Sequence, residues 1–197
     1  MTRDFRLIAM LVLAAATLTG CASSPTPRFY MLSAPEQPAA AAVYSVAVGP
    51  VTVPEIVDRP QFVLRNGANE VTILEQTRWA DSLQREIPRV IAANLAQALG
   101  DARVWAFPQG IGSEPDYRVA VDIQRFDSAP GDAATVEALW RVSPGDGKSG
   151  AVRSGRSRVH EPTKGMEYDA LVAAHSRALA SISRDIAEAI RAARAAQ

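Results

Sequence analysis

Few side chains in this sequence are of a kind that performs chemistry, and their spacing decides what each can do. The chain holds two histidines, His160 and His175, and one cysteine, Cys21. A zinc site draws three or four ligands from cysteine, histidine and carboxylate at short, regular intervals. Neither histidine has a second ligand at such an interval. His160 precedes Glu161-Pro162 at an expected strand end. His175 falls on the apolar stripe of an expected helix and reads as a packed histidine. Gly145, Gly147 and Gly150 match G-x-G-x-x-G, and Gly147-Lys148-Ser149 ends like a P-loop. A P-loop needs a glycine five places before Gly147, where Val142 stands. A dinucleotide turn opens a helix, whereas a charged strand is expected next. A hairpin turn is the better reading. The sequence has no G-x-S-x-G and no S-x-x-K. Asp116, Asp122, Asp127 and Asp132 are scattered over strand and loop and are expected to be solvated. No catalytic residue, cofactor-binding residue or metal ligand emerges, and the chain reads as a non-enzyme.

Cys21 remains, and its surroundings give it a chemistry. Arg3 and Arg6 flank Asp4 at the start, and residues 7–18 are apolar except Thr17. A cationic start, an apolar run of this length and small residues after it make a secretory signal peptide. A spanning helix needs roughly 20 apolar residues. Leu18-Thr19-Gly20-Cys21 closes the segment and resembles the lipobox of bacterial lipoproteins. That resemblance implies cleavage before Cys21, a diacylglycerol on its thiol and a further acyl chain, palmitate among the usual ones, on its new amino terminus. The competing reading, a plain signal followed by an idle cysteine, leaves a lone thiol in an oxidising compartment. Two or more acyl chains anchor a protein stably where one does not. Ala22 and Ser23 follow the cysteine. An aspartate in the first of these places marks inner-membrane retention in well-studied Gram-negative lipoproteins, so its absence implies the outer membrane, periplasmic face.

Composition narrows the rest. Without residues 1–20 the chain has 177 residues, enough for one domain with a proper core. It then carries 19 basic and 20 acidic residues. A nucleic-acid binder normally shows a basic excess, and none is present. With Cys21 lipidated no cysteine is left for a disulfide, a zinc site or a nucleophile. The expected organisation is a signal peptide over 1–20, a lipidated tether over 21–27 and a single periplasmic domain over 28–197. Residues 22–27 reach roughly 20 Å when extended, which keeps the domain near the membrane.

The elements follow from periodicity. Strands are expected over 28–32, 43–53 with a bulge or bend at Gly49-Pro50, 61–65 and 70–74 about the turn Asn66-Gly67-Ala68-Asn69, 103–107, 116–126, 135–142 and 151–159. Along 116–126, Tyr117, Val119, Val121 and Ile123 face one way and Arg118, Asp122 and Gln124 the other. Leu83, Ile87, Val90, Ile91, Leu95 and Leu99 form one apolar stripe, capped by Asp81 or Ser82 and ended by Gly100. Pro88 bends this helix if it starts at Asp81 and sits harmlessly in the first turn if it starts near Glu86. One bent helix is the expectation. A second stripe runs from Tyr168 through Leu171, His175, Leu179 and Ile186 to Ile190. Arg153, Arg156 and Arg158 crowd the 151–159 strand, where charge protects an exposed sheet edge. The order gives an α+β domain with a mainly antiparallel sheet and two long helices packed on one face.

Several stretches together resemble one family. They are Arg28-Phe29-Tyr30-Met31-Leu32 soon after the cysteine, residues 51–61 (VTVPEIVDRPQ), Trp79-Ala80-Asp81-Ser82-Leu83 and residues 116–126 (DYRVAVDIQRF). In this order and behind a lipobox, they resemble the PqiC-like lipoproteins, auxiliary components of ABC-type, MCE intermembrane transport systems. The resemblance runs from Cys21 to about Val142. It implies a non-enzymatic outer-membrane lipoprotein that docks a periplasm-spanning MCE-domain protein in lipid transport and supports membrane integrity. It also implies an ABC permease and ATPase as indirect partners, a membrane contact through the anchor, and a homo-oligomeric ring. Cys21 alone carries over as a functional residue, and its covalent lipid is the only group implied; no cofactor is. A lipoprotein that activates a periplasmic cell-wall enzyme is the alternative, and a lipid carrier with its own cavity a third.

The lipobox makes a direct prediction. Mass spectrometry of the mature chain should find Cys21 at its amino terminus, carrying diacylglycerol and a further acyl chain. Cys21→Ser should leave the signal uncleaved at this site and the mass without lipid.

Overall fold

The computed structural model describes residues 25–36, 42–108 and 114–196. Residues 1–20 and Cys21 lie outside them. The elements are β1 (Arg28–Tyr30), β2 (Tyr44–Thr52), β3 (Gln61–Arg65), β4 (Val71–Trp79), α1 (Leu83–Leu99), β5 (Ala102–Ala106), β6 (Tyr117–Ser128), β7 (Ala133–Pro144), β8 (Arg153–Pro162) and α2 (Tyr168–Arg194). The strands form one eight-stranded sheet. Both helices pack on one face of it, α1 over β2 and β5, α2 over β7 and β8, with α1 and α2 touching. The α+β class and the helix layer are as expected.

The expectation of a mainly antiparallel sheet is corrected. β1 runs parallel to β4, β2 parallel to both β5 and β6, and β3 parallel to β6 at Leu64–Ser128. Only β3–β4, β6–β7 and β7–β8 are antiparallel. Alternation in a sequence reveals which side chains share a face, not which strand lies alongside. Short turns betray antiparallel partners, as between β6 and β7, but parallel partners meet only after a crossover. β2 reaches β6 after β3, β4, α1 and β5 have intervened. Unbroken burial from Tyr44 to Gly49 marks it as a strand covered on both faces.

β6 lies at the centre of the sheet. Its first half pairs with β2, its last residue with β3, and its whole other edge with β7. Tyr117, Val119, Val121 and Ile123 all point to the helices and are buried. Strict alternation would then turn Phe126 and Ser128 to the outside. A register shift between Ile123 and Arg125 sets two residues of β6 against one of β7 and keeps both inward. β2 uses the same device. A shift between Val48 and Val51, at the expected Gly49-Pro50, keeps Val46, Val48 and Val51 buried together.

α1 starts at Ser82 and runs as one helix through Pro88, with Leu83, Ile87, Ile91 and Leu95 sealed beneath it. Asp81 organises its entry. Its carboxylate accepts the Ser82 amide at 2.8 Å and pairs with Arg85 and Arg89. The Ser82 hydrogen bond leads the interactions that hold its pKa below the usual carboxylate value. Gly100 ends the helix at φ 76, and its amide bonds Ala96 O at 3.0 Å. The 70–74 strand extends further than expected, to Trp79, which stacks on Phe62 at 4.2 Å.

α2 lays Leu171, Leu179, Ile182, Ile186 and Ile190 into the core, all fully buried. Ala174, Ala178 and Ala187 on the same side let the helix come close. His175 is also fully buried. Its ring stacks on Phe126 at 3.9 Å and 7°, and Nε2 meets Ser128 Oγ at 2.8 Å. Burial pushes the imidazole down to about 3. A depressed folded-state pKa for a base means that stability is complete above the ordinary value of 6.5 and is lost as pH falls from there toward 3. His175→Ala should cost about 3 kcal/mol at pH 7.5 through the cavity and the lost stack. Urea melts across pH should show its stability falling less between 6.5 and 3 than that of the parent chain.

Candidate docking surface

The face of the sheet opposite the helices is open. It carries the outward residues of β3, β6, β7 and β8, which form a charge lattice across strands. Glu137 on β7 is 8% exposed; Arg156 binds one of its oxygens and Arg158 Nε stands 3.9 Å from the other. Asp127 forms ion pairs with Arg65, whose Nε stands 2.7 Å away, and with Arg125. Arg118 Nη2 lies 2.6 Å from Glu114 and 2.9 Å from Asp146. Thr52 and Gln124 both donate to Asp122. Opposite charges on neighbouring strands are each worth a few tenths of a kcal/mol to the sheet. They also give this face a fixed pattern. Asp127 is not the solvated carboxylate expected of a residue just beyond the 116–126 strand: β6 runs on past it, and Arg65 and Arg125 stand beside it.

Two grooves of different character lie on this surface. The larger, about 1130 Å³, is lined by Arg65, Arg125, Arg158, His160, Asp127 and the Asn66-Gly67-Ala68 turn, among others. The smaller, about 430 Å³, is mostly apolar and runs between Pro50 and Leu139 over Ala120. Beside it Trp140 crosses Gly155 so closely that a Cβ there would stand 2.2 Å from the indole. The indole NH donates to Ser157 Oγ at 3.0 Å, and that hydroxyl donates to Asp185 of α2. An edge glycine thus lets an aromatic ring tie β7 through β8 to the helix layer.

The residues weighed for chemistry settle into these roles. His160 is exposed at the end of β8, its Nδ1 at 3.0 Å from Thr135 Oγ1. His175 and Ser128 have the contact of a base and a nucleophile, but both are sealed in the core and Nδ1 has no partner to orient it. A base of that kind needs an orienting group and reach to a substrate. Among the described residues no three metal-ligating side chains come together. The glycine-rich 145–150 segment is the expected turn, with the Lys148 amide on Gly145 O at 3.0 Å. Lys148 pairs with Asp116, the leading cause of that carboxyl's lowered pKa. Cys21 lies outside the described residues.

One group that pattern reading passed over is Glu86. It is a carboxylate on the apolar side of α1, between Leu83 and Ile87, which is the only signal the sequence offers. It is 5% exposed, and its Oε1 accepts the Leu32 amide at 2.8 Å. The next amide, Ser33, donates to Ser176 Oγ on α2 at 3.0 Å. Ala80 N donates to Tyr30 O at 2.7 Å. The segment after the tether is therefore fastened to β4, α1 and α2.

With this geometry in place, comparison is informative. A family model described as ABC-type transport auxiliary lipoprotein component matches residues 30–187. The chain belongs to this family. The family is one of transport components, and it is lipoprotein by description, which agrees with membrane anchoring. Among the described residues no helix is long and apolar enough to cross a membrane. A crystal structure of an uncharacterized protein superposes with a TM-score of 0.69 at 20% identity, over 84% of this chain and 99% of that one. Protein XCC0632 from Xanthomonas campestris superposes at 0.62 and 21% identity, over 81% of this chain and 92% of its own. At these identities the likeness is one of fold. No curated protein matches the sequence.

Glu86 gives a pH prediction. Burial leads the interactions on it and pushes its carboxyl up to about 7, against the Leu32 amide and Arg89. A raised folded-state pKa means that the stabilisation is present below the ordinary 4.5 and is lost as pH rises through 7. Glu86→Gln keeps an acceptor without a charge. Thermal melts should show it matching the parent near pH 4 and exceeding it at pH 8 by about 2–3 kcal/mol.

Proposed function

We propose that this chain is a non-enzymatic outer-membrane lipoprotein subunit of an MCE-type intermembrane lipid transport system. In this reading residues 1–20 are removed, Cys21 carries the lipid anchor, residues 21–27 form a short tether and residues 28–197 are a periplasmic domain. The domain docks the periplasm-spanning MCE protein at the membrane and so serves an ABC permease and ATPase indirectly. The family match over residues 30–187 carries the proposal, because it pairs transport with lipidation and begins nine residues after Cys21. The open sheet face supports it. A lattice of paired charges around a mostly apolar groove offers a partner both register and burial, and charge complementarity chiefly sets orientation and specificity.

A crosslinking pull-down from intact envelopes tests the reading, with the lipidated chain as bait. The expected catch is an MCE-domain protein, lost when residues 1–21 are exchanged for an ordinary cleavable signal peptide that releases the domain without a lipid. Arg156→Glu with Arg158→Glu, made together with Glu137→Gln so that no nearly buried carboxylate loses its partners, should lower that catch at least tenfold in a chain that still melts cooperatively. Recovery of a cell-wall synthase with no MCE protein sinks the transport reading in favour of an enzyme activator.

A further inference from the structure

Phe29 and Met31 are each 62% exposed. They stand at i and i+2 on the same side of the edge strand β1 and its continuation, and their intervening neighbours point the other way. Tyr30 meets Phe62 edge-on at 5.7 Å, and Leu32 is 5% exposed. The segment cannot roll to hide the outward pair. Its backbone is held by Ala80 just after β4, by Glu86 of α1 and by Ser176 of α2. A cation stands beside the pair: Arg78 is the cross-strand partner of Phe29, and its Nε donates to Glu75 O at 2.9 Å. Phe29 follows Cys21 by eight residues, at most about 28 Å of extended chain.

We infer that Phe29 and Met31 insert into the lipid surface to which Cys21 anchors the chain, with Arg78 against its phosphates. The inference rests on the proposed anchor. Apolar side chains sink into the boundary between headgroups and acyl chains, and neighbouring arginines bind the anionic layer above it. A lipid anchor alone leaves a domain free to tumble on its tether. A second, rigid contact at β1 fixes which way the open sheet face looks. The exposed apolar pair is thus a second membrane contact, and its fastening to α1 and α2 transmits the membrane's orientation to the whole fold.

Lipid-borne quenching tests this on the full, processed chain in vesicles of phosphatidylethanolamine and phosphatidylglycerol. Acylation consumes the one native thiol, so Phe29→Cys, Met31→Cys and Leu139→Cys each accept an environment-sensitive dye, with the parent chain labelled in parallel as the blank. Leu139 is 41% exposed on β7, away from β1. Brominated lipid should quench the dyes at 29 and 31 at least threefold more than the dye at 139, and their emission should move to the blue on reconstitution. Equal quenching at all three positions overturns the inference. So does shielding from water without lipid quenching, which means a second copy covers the pair. The mass of the same sample reports acylation and separates the two readings. An acylated chain with unquenched dyes overturns insertion and leaves the anchor. An unacylated chain with quenched dyes, above the blank, overturns the anchor and leaves insertion. An unacylated chain with unquenched dyes overturns both.

Discussion

β6 must satisfy three neighbours with one backbone. β2 and β3 share one of its edges end to end, and β7 takes the other. Its inward side chains meanwhile form the floor on which the helices sit. Alternation serves only to Ile123, and beyond it the bulge changes parity so that Phe126 and Ser128 can meet His175. An uninterrupted strand would send Phe126 into solvent and bring Arg125 into the core, where an unpaired guanidinium is costly. The aromatic group of Phe62, Trp79, Phe126 and His175, and through it the seating of β1 and α2, depends on that single extra residue.

The two faces of the sheet divide the work. The helix face is closed, filled by aliphatic side chains and alanines, and the polar groups it contains are spent on structure. Ser128 satisfies His175, Ser176 holds the N-terminal segment, and Ser157 connects Trp140 to Asp185. The open face holds the cross-strand lattice of arginines and carboxylates and both grooves described above. A transport auxiliary component needs surfaces rather than a reaction centre, and this distribution provides them. Buried titrations follow the same division. Falling pH destabilises through His175 and pH rising from 4.5 through 7 destabilises through Glu86, and both side chains are buried on the helix layer.

Much of this was legible in the residues. The helical stripes, the hairpin turns of β3–β4 and β6–β7, the bulge at Gly49-Pro50 and the inert character of Gly145–Gly150 are local matters. Periodicity, glycine and proline announce them directly. The helix face of β6 was legible only to Ile123, because its bulge involves neither glycine nor proline and so leaves no mark. Glu86 stood in plain view as a charge on an apolar stripe, but its partner is an amide 54 positions away. The open-face lattice was visible as charged strand residues, not as pairs.

The sequence by itself determined the class of element in each segment, the faces the two helices bury and the chemistry proposed for Cys21, since these rest on side-chain type and short-range spacing. Tertiary structure alone decided that β2 lies parallel between β5 and β6, that Asp127 is caught between two arginines and that Phe29 and Met31 stay outside. Each depends on which distant strand comes alongside and in what register, and a backbone hydrogen bond is the same whichever residue makes it.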